Sequence, residues 1–147
     1  DFAVAGVLVG DASRIGAEVP RHDLVLSSAT IEHVGTVDDQ RRMIACCIRA
    51  AKRYVVLTTP NRWHPIEFHT RLPLLHWLPR RIHRRILRII GFDFFADEMN
   101  LNLLDRRDMQ TMIDVNDQRE RIKSCRLETI RLLGVVSNLV FVIELKE

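Results

Sequence analysis

The sequence lacks the features that mark membrane-spanning and secreted proteins. No apolar run reaches the roughly 18 to 20 residues that span a bilayer. The first residues carry no basic segment of the kind that opens a signal peptide. The three cysteines include no Cys-x-x-Cys pair, and their odd number argues against a disulfide framework. These absences predict a protein of the reducing cytoplasm.

Methionine is absent from the first position, so we expect a processed or partial polypeptide. The 147 residues are enough for one domain and too few for two ordinary ones. The net charge of +3 is a mild excess, and the densest basic stretch is the arginine-rich run at residues 80–88. Aromatic and basic residues are not interleaved there as a single-strand groove requires, so we predict no nucleic-acid partner.

The first part of the chain alternates strand and helix patterns, as α/β proteins do. Residues 4–9, 23–28 and 54–59 are short apolar runs that predict buried strands. Residues 31–52 carry apolar side chains at helical spacing, which predicts a helix between the second and third strands. The short connections around this helix predict parallel strands joined by a right-handed crossover.

The middle of the chain has a different composition. Four prolines break any long helix between residues 60 and 79, and tryptophans and histidines lie among them. We therefore predict that residues 59–100 form a lid or insert rather than framework. Within this region, isoleucines on one face of residues 80–90 and arginines on the other predict an amphipathic helix.

The end of the chain predicts a short helix followed by two paired strands. Residues 105–114 have a helical pattern, and residues 126–133 and 138–145 are apolar strands. The tight connection at residues 134–137 predicts an antiparallel hairpin over residues 126–145. Together these elements predict a single α/β domain over residues 1–147.

Three short segments follow or end the predicted strands. Gly10-Asp11-Ala12 follows the first strand, Ile31-Glu32-His33-Val34 follows the second, and Thr59-Pro60-Asn61 ends the third. In this order and spacing they resemble the second half of class I S-adenosylmethionine (SAM)-dependent methyltransferases, nearest to the small-molecule and ubiquinone-pathway group. The resemblance implies a partial Rossmann-like class I methyltransferase sheet with a C-terminal antiparallel hairpin. It also implies SAM as the cofactor.

The family's Gly-x-Gly-x-Gly loop, and the acidic residue that binds the cofactor ribose, have no counterpart in these 147 residues. By resemblance, Asp11 accepts a hydrogen bond from the adenine amino group, and the Ala12 backbone lies beside it. Ser27 and Ser28 pass close to the methionine part of the cofactor. The alternative is that Asp11 caps a loop or helix and that the two serines only end a strand.

By resemblance, Glu32 and His33 face the methyl-transfer centre, with His33 also beside the cofactor. His33 is the candidate catalytic base or substrate orienter, because only histidine titrates near neutral pH without perturbation. The alternative is that Glu32 stabilises a helix N-terminus through the helix dipole, with His33 partly buried beside it. Some relatives bind a divalent ion with an acid three residues before this pair. Here that position is Ala29, so we predict no metal site.

Polar and aromatic residues of the lid region suit a cover over a small, apolar or lipid-like acceptor. His64 and His69 also invite interpretation as metal ligands, but they are five residues apart around Pro65, and a helix would not bring them together. The alternative role for these lid residues is packing of an irregular loop on the core. The predicted acceptor-site residues are Glu32, Asn61, Trp63, His64, Phe68 and His69.

The basic helix between Arg80 and Arg88 has two interpretations. One is an ordinary solvated face, and the other is contact with a membrane surface, since basic amphipathic helices suit anionic interfaces. A separate expectation concerns residues 24–26, which form an apolar sheet edge if the family's first two strands do not cover them. Three outcomes follow: those strands are present, a second copy of the chain covers the edge in a homo-oligomer, or the sheet is rearranged. We expect the first.

Two functions follow from these patterns. The first is a SAM-dependent methyltransferase for a small, apolar or lipid-like acceptor, of which this chain is the C-terminal part. The second is a non-catalytic, methyltransferase-like module that binds a membrane surface or a protein partner. Binding of SAM separates the two.

Overall fold

A computed structural model describes residues 21–146 of the chain. The strand predicted at residues 4–9 and the predicted cofactor residues Asp11 and Ala12 lie outside the described residues. Within residues 21–146 the order of elements is strand, helix, strand, an irregular segment with short helices, and a final pair of strands. The predicted α/β character is therefore confirmed.

Four strands form one sheet. They are β1 (His22–Ser28), β2 (Ala51–Pro60), β3 (Ile122–Leu132) and β4 (Val135–Leu145), and their order in the sheet is β1-β2-β4-β3. β1 and β2 are parallel, whereas β4 is antiparallel to both β2 and β3. The predicted parallel unit and terminal hairpin are both confirmed, and together they make a partial Rossmann-like sheet with one reversed end.

The hydrophobic core lies between this sheet and two helices, α1 (Val37–Ala50) and, later in the chain, the helix Arg106–Asp114. Alternate residues of β4 are buried, as a strand with one face on the core requires. Ile44 and Ile48 lie four residues apart on one face of α1 and belong to the same buried cluster. The core therefore packs the sheet against α1 and the later helix.

The helix predicted over residues 31–52 is shorter than expected. It begins after Thr36, whose hydroxyl accepts a hydrogen bond from the Asp39 backbone while the Asp39 carboxylate accepts one from the Thr36 backbone. Gly35 precedes this cap with a φ of +105°, which interrupts any helix arriving from upstream. Ile31–His33 instead forms a separate 3₁₀ turn. The prediction that the Glu-His pair opens the helix is therefore wrong.

The hairpin turn is also tighter than predicted. β3 and β4 are joined by Leu133 and Gly134 alone, with φ values of +51° and +82°. Two successive positive φ angles are typical of the two-residue turns whose twist matches a hairpin. The predicted four-residue connection at 134–137 is wrong, because residues 135–137 already belong to β4.

Three helices lie between β2 and the hairpin: α2 (Arg80–Ile89), α3 (Asp93–Ala96) and α4 (Arg106–Asp114). The predictions of helices at the basic stretch and at residues 105–114 are confirmed. We refer to residues 61–100, which leave β2 and return before α4, as the lid segment. No helix within residues 21–146 is long and apolar enough to cross a membrane.

A buried amide clamp joins the 3₁₀ turn, α1 and the chain that returns from the lid segment. The Gln40 side-chain amide donates to the carbonyl oxygens of Ile31 at 3.0 Å and of Asn102 at 2.9 Å. The Asn102 backbone donates in turn to the Glu32 carbonyl at 2.7 Å, and its side chain donates to the Gly35 carbonyl at 3.2 Å. Gln40 and Asn102 are almost completely buried, so these bonds are shielded from water.

Within residues 21–146, an apolar strand forms one edge of the sheet. β1 is the outermost strand of the described sheet, and Leu24 and Leu26 on it are 54% and 63% exposed. An edge strand with exposed leucines can pair with another strand. A second copy of the chain as its cover stays a prediction.

We predict that Gln40→Ala lowers the free energy of unfolding by about 3 kcal/mol. The substitution leaves the Ile31 and Asn102 carbonyl groups without their donor and opens a cavity beside α1. Urea denaturation followed by circular dichroism measures the change.

Gln110→Ala is the matched control, because Gln110 is exposed on α4 and its side chain bonds the Asp114 side chain at 3.1 Å. We expect it to change the free energy of unfolding by less than about 0.5 kcal/mol. Equal effects of the two substitutions would contradict the role given to the clamp.

Candidate functional site

The site lies beyond the carboxyl ends of the parallel strands β1 and β2. Ala29, just past β1, turns the chain with a φ of +48°, and its backbone donates to the Thr58 carbonyl at 3.0 Å. Ser28 is exposed, and its hydroxyl accepts a hydrogen bond from Thr58 at 3.1 Å. The Ser27 hydroxyl is buried and has no hydrogen-bond partner among the described residues. The two predicted cofactor-binding serines therefore stand where a parallel sheet places its ligand.

Glu32 is completely buried beneath this edge. One carboxylate oxygen, Oε2, accepts a hydrogen bond from the Thr59 hydroxyl at 3.0 Å, which ties the 3₁₀ turn to the end of β2. The other oxygen, Oε1, has no partner in the part of the chain that the structure describes. Burial raises the pKa of Glu32 and outweighs the hydrogen bonds that lower it. This buried oxygen therefore keeps an unused capacity to accept a hydrogen bond.

His33 follows Glu32 on the turn, and its side chain is exposed at the site. Its Nδ1 lies 2.7 Å from the Asn100 carbonyl oxygen. A carbonyl only accepts hydrogen bonds, so Nδ1 carries the proton and Nε2 is left with a lone pair when the ring is neutral. Nε2 points at the Nε2 of His69, 3.0 Å away. The two rings meet edge to face, with centroids 4.7 Å apart.

His69 comes from the lid segment and is oriented by Glu67. The Glu67 carboxylate accepts from the His69 Nδ1 at 2.6 Å and backbone at 2.8 Å, and from the Thr70 backbone and hydroxyl at 2.6 Å each. Burial alone would raise the pKa of Glu67, but these bonds outweigh it and lower the pKa to about 2. The ionised Glu67 raises the pKa of His69 in return.

Glu32, His33 and His69 thus form one cluster, with a ligand atom from each lying within 4.8 Å of the others. The cluster offers one carboxylate oxygen and two imidazole nitrogens, a donor set that suits either proton transfer or a metal ion. The sequence analysis considered His69 as a metal ligand only together with His64, and their spacing argued against that pair. The structure instead brings His69 to His33, 36 residues earlier in the sequence.

The other predicted acceptor-site residues lie elsewhere. His64 is buried; its Nδ1 contacts the Ile66 carbonyl at 2.9 Å, and Phe68 stacks on its ring at 4.8 Å. Asn61 binds the hairpin through the Val136 carbonyl at 3.0 Å. Trp63 is half exposed, and together with Asn61 it lines a separate surface hollow against β3. The predicted set is therefore divided between the cluster, the inside of the lid segment and the hairpin side.

Sequence reasoning missed three contributors: Glu67, Thr59 and the Asn100 carbonyl. The Glu67-x-His69 spacing is a usable signal, since a carboxylate two residues before a histidine in a loop can reach its Nδ1. The contribution of Asn100 is a backbone contact, and no residue pattern reveals it. Thr59 was recognised only as the end of a strand.

No family model matches the chain, and no curated protein matches it. Solved structures are similar in fold. Magnesium protoporphyrin IX methyltransferase from Synechocystis PCC 6803, solved with bound SAH, is 13% identical with a TM-score of 0.52; the alignment covers 95% of this chain and 50% of that one. A SAM-dependent methyltransferase from Methanosarcina mazei is 15% identical with a TM-score of 0.55, over 93% of this chain and 65% of that one.

A structure from Rhodobacter sphaeroides that bears the name of zinc-dependent alcohol dehydrogenases is also similar, at 14% identity and a TM-score of 0.58, over 95% of this chain and 65% of that one. The chain spans about half to two thirds of the length of these proteins. At such identities the likeness concerns the fold and leaves the reaction open. With its sheet order and reversed terminal hairpin, the described part of the chain has the fold of class I SAM-dependent methyltransferases.

Proposed function

We propose that this chain contributes to a SAM-dependent methyltransferase that acts on a small, apolar or lipid-like acceptor. The observation that carries the proposal is the polar cluster of Glu32, His33 and His69 at the carboxyl ends of two parallel strands. Sheets of this kind bind their ligands at that edge. The lid segment supplies one member of the cluster, so it faces the same place.

SAM is the proposed cofactor. Two of the similar solved structures, both of magnesium protoporphyrin IX methyltransferase, contain SAH or SAM. Ser27 and Ser28 at the end of β1 are the proposed contacts to its methionine part, mostly through their backbone, and Ser28 is exposed there. Asp11 and Ala12, outside the described residues, remain the proposed adenine contacts.

Methyl transfer from a sulfonium is an in-line displacement, so the protein must chiefly position the acceptor and exclude water. His33 is the proposed residue at this centre, as a general base or as the group that orients the acceptor. Its Nε2 carries the lone pair that either role needs, and its Nδ1 is held by the Asn100 carbonyl. Phe95 of the lid segment lies beside the His69 ring, with centroids 5.9 Å apart, and suits an apolar acceptor.

We predict that the complete gene product containing this chain binds SAM in isothermal titration calorimetry and transfers its methyl group to apolar hydroxyl or amino acceptors. His33→Gln is expected to reduce turnover by about 100-fold or more, within the range for loss of a general base. SAM binding should change much less, because the substitution leaves the strand ends intact.

His22→Gln is the matched control, since His22 is an exposed histidine at the opposite end of β1. We expect it to leave both binding and turnover unchanged. Absence of SAM binding at millimolar concentration would favour the non-catalytic module. Normal turnover of the His33 variant would contradict the proposed role of His33 in methyl transfer.

A lipid contact through α2 completes the proposal. Arg81, Arg85 and Arg88 are exposed on this helix, and Ile89 beside them is 75% exposed. Arg80 is engaged by Asp108 at 2.7 Å. Exposed arginines next to exposed apolar side chains suit an anionic lipid surface, where the guanidinium groups meet headgroups and the apolar groups enter the interface.

We predict that the protein sediments with vesicles containing phosphatidylserine and not with phosphatidylcholine alone. The triple substitution R81Q/R85Q/R88Q should abolish this binding, because each arginine near an anionic surface contributes about 1 kcal/mol. The control K52Q/R53Q/R131Q removes the same charge from exposed positions on β2 and β3 and should bind normally. Equal loss in both variants would indicate only a net-charge effect.

A further inference from the structure

A hollow inside the lid segment gathers basic side chains. It is bounded by α2, by the first residues of the lid segment and by the chain that returns from it. The cluster residues Glu32, His33 and His69 do not line it, and no carboxylate within residues 21–146 does so. Five of its lining side chains are cationic or can become so: Arg62, His76, Arg80, His83 and Arg84. The hollow is therefore a candidate site for an anion.

Carboxylates near the hollow balance two of its three guanidinium groups. Arg80 pairs with Asp108 at 2.7 Å, and Arg84 pairs with Glu98 at 3.4 Å. Arg62 has no ion pair among residues 21–146, and its Nε and Nη2 atoms donate to two backbone carbonyl groups instead. One positive charge therefore lies at the hollow without a paired carboxylate.

The pKa of Arg62 reports the same imbalance. Burial lowers this pKa most, and the neighbouring Arg80 and Arg84 lower it further. Asp108 and Asp105 raise it without reversing the direction. The group stays charged at neutral pH, because arginine keeps its proton in proteins. A bound anion would supply the missing counter-charge.

His76 is a second, independent indication of a ligand. It is 1% exposed, and its Nε2 lies 2.7 Å from the His64 carbonyl oxygen, so Nε2 carries a proton. Its Nδ1 is buried and has no hydrogen-bond partner among the described residues. Leaving a buried polar atom unpaired costs free energy, and a bound group would remove that cost.

The protonation of His76 depends on what lies at the hollow. Burial is the main cause that lowers its pKa, and Arg62 lowers it as well, against the raising effects of backbone hydrogen bonds and of Glu67. By itself the ring is therefore neutral near pH 7, and Nδ1 holds a lone pair that repels an anion. An anion at the hollow would raise the pKa, so that Nδ1 takes up a proton from solvent and donates it in a hydrogen bond.

We propose that this hollow binds a doubly charged oxyanion, a sulfate or phosphate group, together with one proton. The charges of Arg62 and of a protonated His76 match the two charges of the anion. The interior of the hollow has a free volume of about 10 Å³, which holds one water-sized group. One oxygen of the anion therefore enters, and the others remain at the mouth, where the Arg80 and Arg84 side chains are 33% and 20% exposed.

His83 adds a hydrogen-bond donor without adding a charge. It lines the hollow, and its ring makes no hydrogen bond among residues 21–146. Burial lowers its pKa to about 4, with further lowering by His76, Arg62 and Arg84. Glu67 opposes this shift without reversing it. His83 is therefore neutral at pH 7 and offers its single N–H, and the proton taken up on binding is assigned to His76.

A buried water is the competing explanation for the unpartnered Nδ1, since a water can donate to a ring lone pair. It requires neither an anion nor a proton, so direct binding measurements separate the two explanations.

The anion can come from two sources. A phospholipid headgroup is one, because exposed arginines lie on the outer face of α2, and a soluble phosphate ester is the other. The hollow shares no residue with the proposed methyl-transfer centre, so anion binding does not depend on that function.

The experiment titrates sulfate into the complete gene product by calorimetry, without SAM. Sulfate keeps both charges near neutral pH, so any proton taken up goes to the protein. We expect one sulfate per chain, with a dissociation constant of about 1 mM or lower. Uptake of about one proton, measured from buffers with different heats of ionisation, should make binding weaker as the pH rises from about 7 to about 8.

Two substitutions and a control locate the site. Arg62→Gln removes the unpaired charge and should weaken sulfate binding about 10- to 100-fold. His76→Gln keeps an amide donor for the His64 carbonyl but cannot take up a proton, so sulfate binding should weaken and lose its pH dependence. Arg81→Gln removes the same charge from an exposed neighbour on α2 and should leave binding unchanged. Circular dichroism verifies that each variant folds.

No sulfate binding by the unaltered protein, or binding without proton uptake, would overturn the proposal, and so would equal effects of Arg62→Gln and Arg81→Gln. The proton measurement on the unaltered protein keeps the test decisive if a variant fails to fold. Titrations of glycerol phosphate and of dihexanoyl phosphatidic acid identify the source. Tighter binding of the lipid supports a headgroup in the site, and equal binding supports a soluble ester. Because SAM is absent, failure here leaves the proposed methyl transfer to its own test.

Discussion

The Gln40 amide is the constraint on which the candidate site depends. It donates to two carbonyl groups that are far apart in the sequence, those of Ile31 and Asn102, and so holds the turn after β1 against the chain returning from the lid segment. Two residues before that junction, the Asn100 carbonyl accepts the Nδ1–H of His33. The orientation of His33 therefore follows from a buried hydrogen-bond network anchored in α1.

The lid segment reaches the same place through a second set of fixed contacts. Its first residue, Asn61, donates through its backbone to Ser137 at 2.8 Å and through its side chain to Val136. Further along, the buried Glu67 carboxylate gathers four donors from His69 and Thr70. A low pKa keeps this carboxylate ionised at neutral pH, so it orients the His69 ring under all ordinary conditions. His33, held by the Asn100 carbonyl, and His69, held by Glu67, thus meet near the carboxyl ends of β1 and β2.

The strands and helices around the core could be predicted because their apolar residues recur at regular spacing. The apolar runs that became β1, β2 and β4 alternate with turn residues, and the spacing of Ile44 and Ile48 gave α1. Boundaries were less predictable. Thr36 and Gly35 start the helix later than its apolar pattern suggests, and the strand-forming Val135 was assigned to the turn although β4 begins there. The contact between His33 and His69 could not be predicted. The apolar residues between 61 and 69 follow no regular spacing, and backbone hydrogen bonds set the course of this segment. A cytoplasmic location and the adenine contacts of Asp11 and Ala12 stay predictions.

At the candidate site, the Nε2 of His69 lies beside the Nε2 of His33, while both rings keep a proton on Nδ1. Two-bond ¹H–¹⁵N correlation spectra of histidine-labelled protein report which ring nitrogen is protonated, and His33→Gln and His69→Gln assign the signals. The structure predicts a protonated Nδ1 at both rings. The pattern of a ring protonated only at Nε2, for either residue, would contradict the site as described.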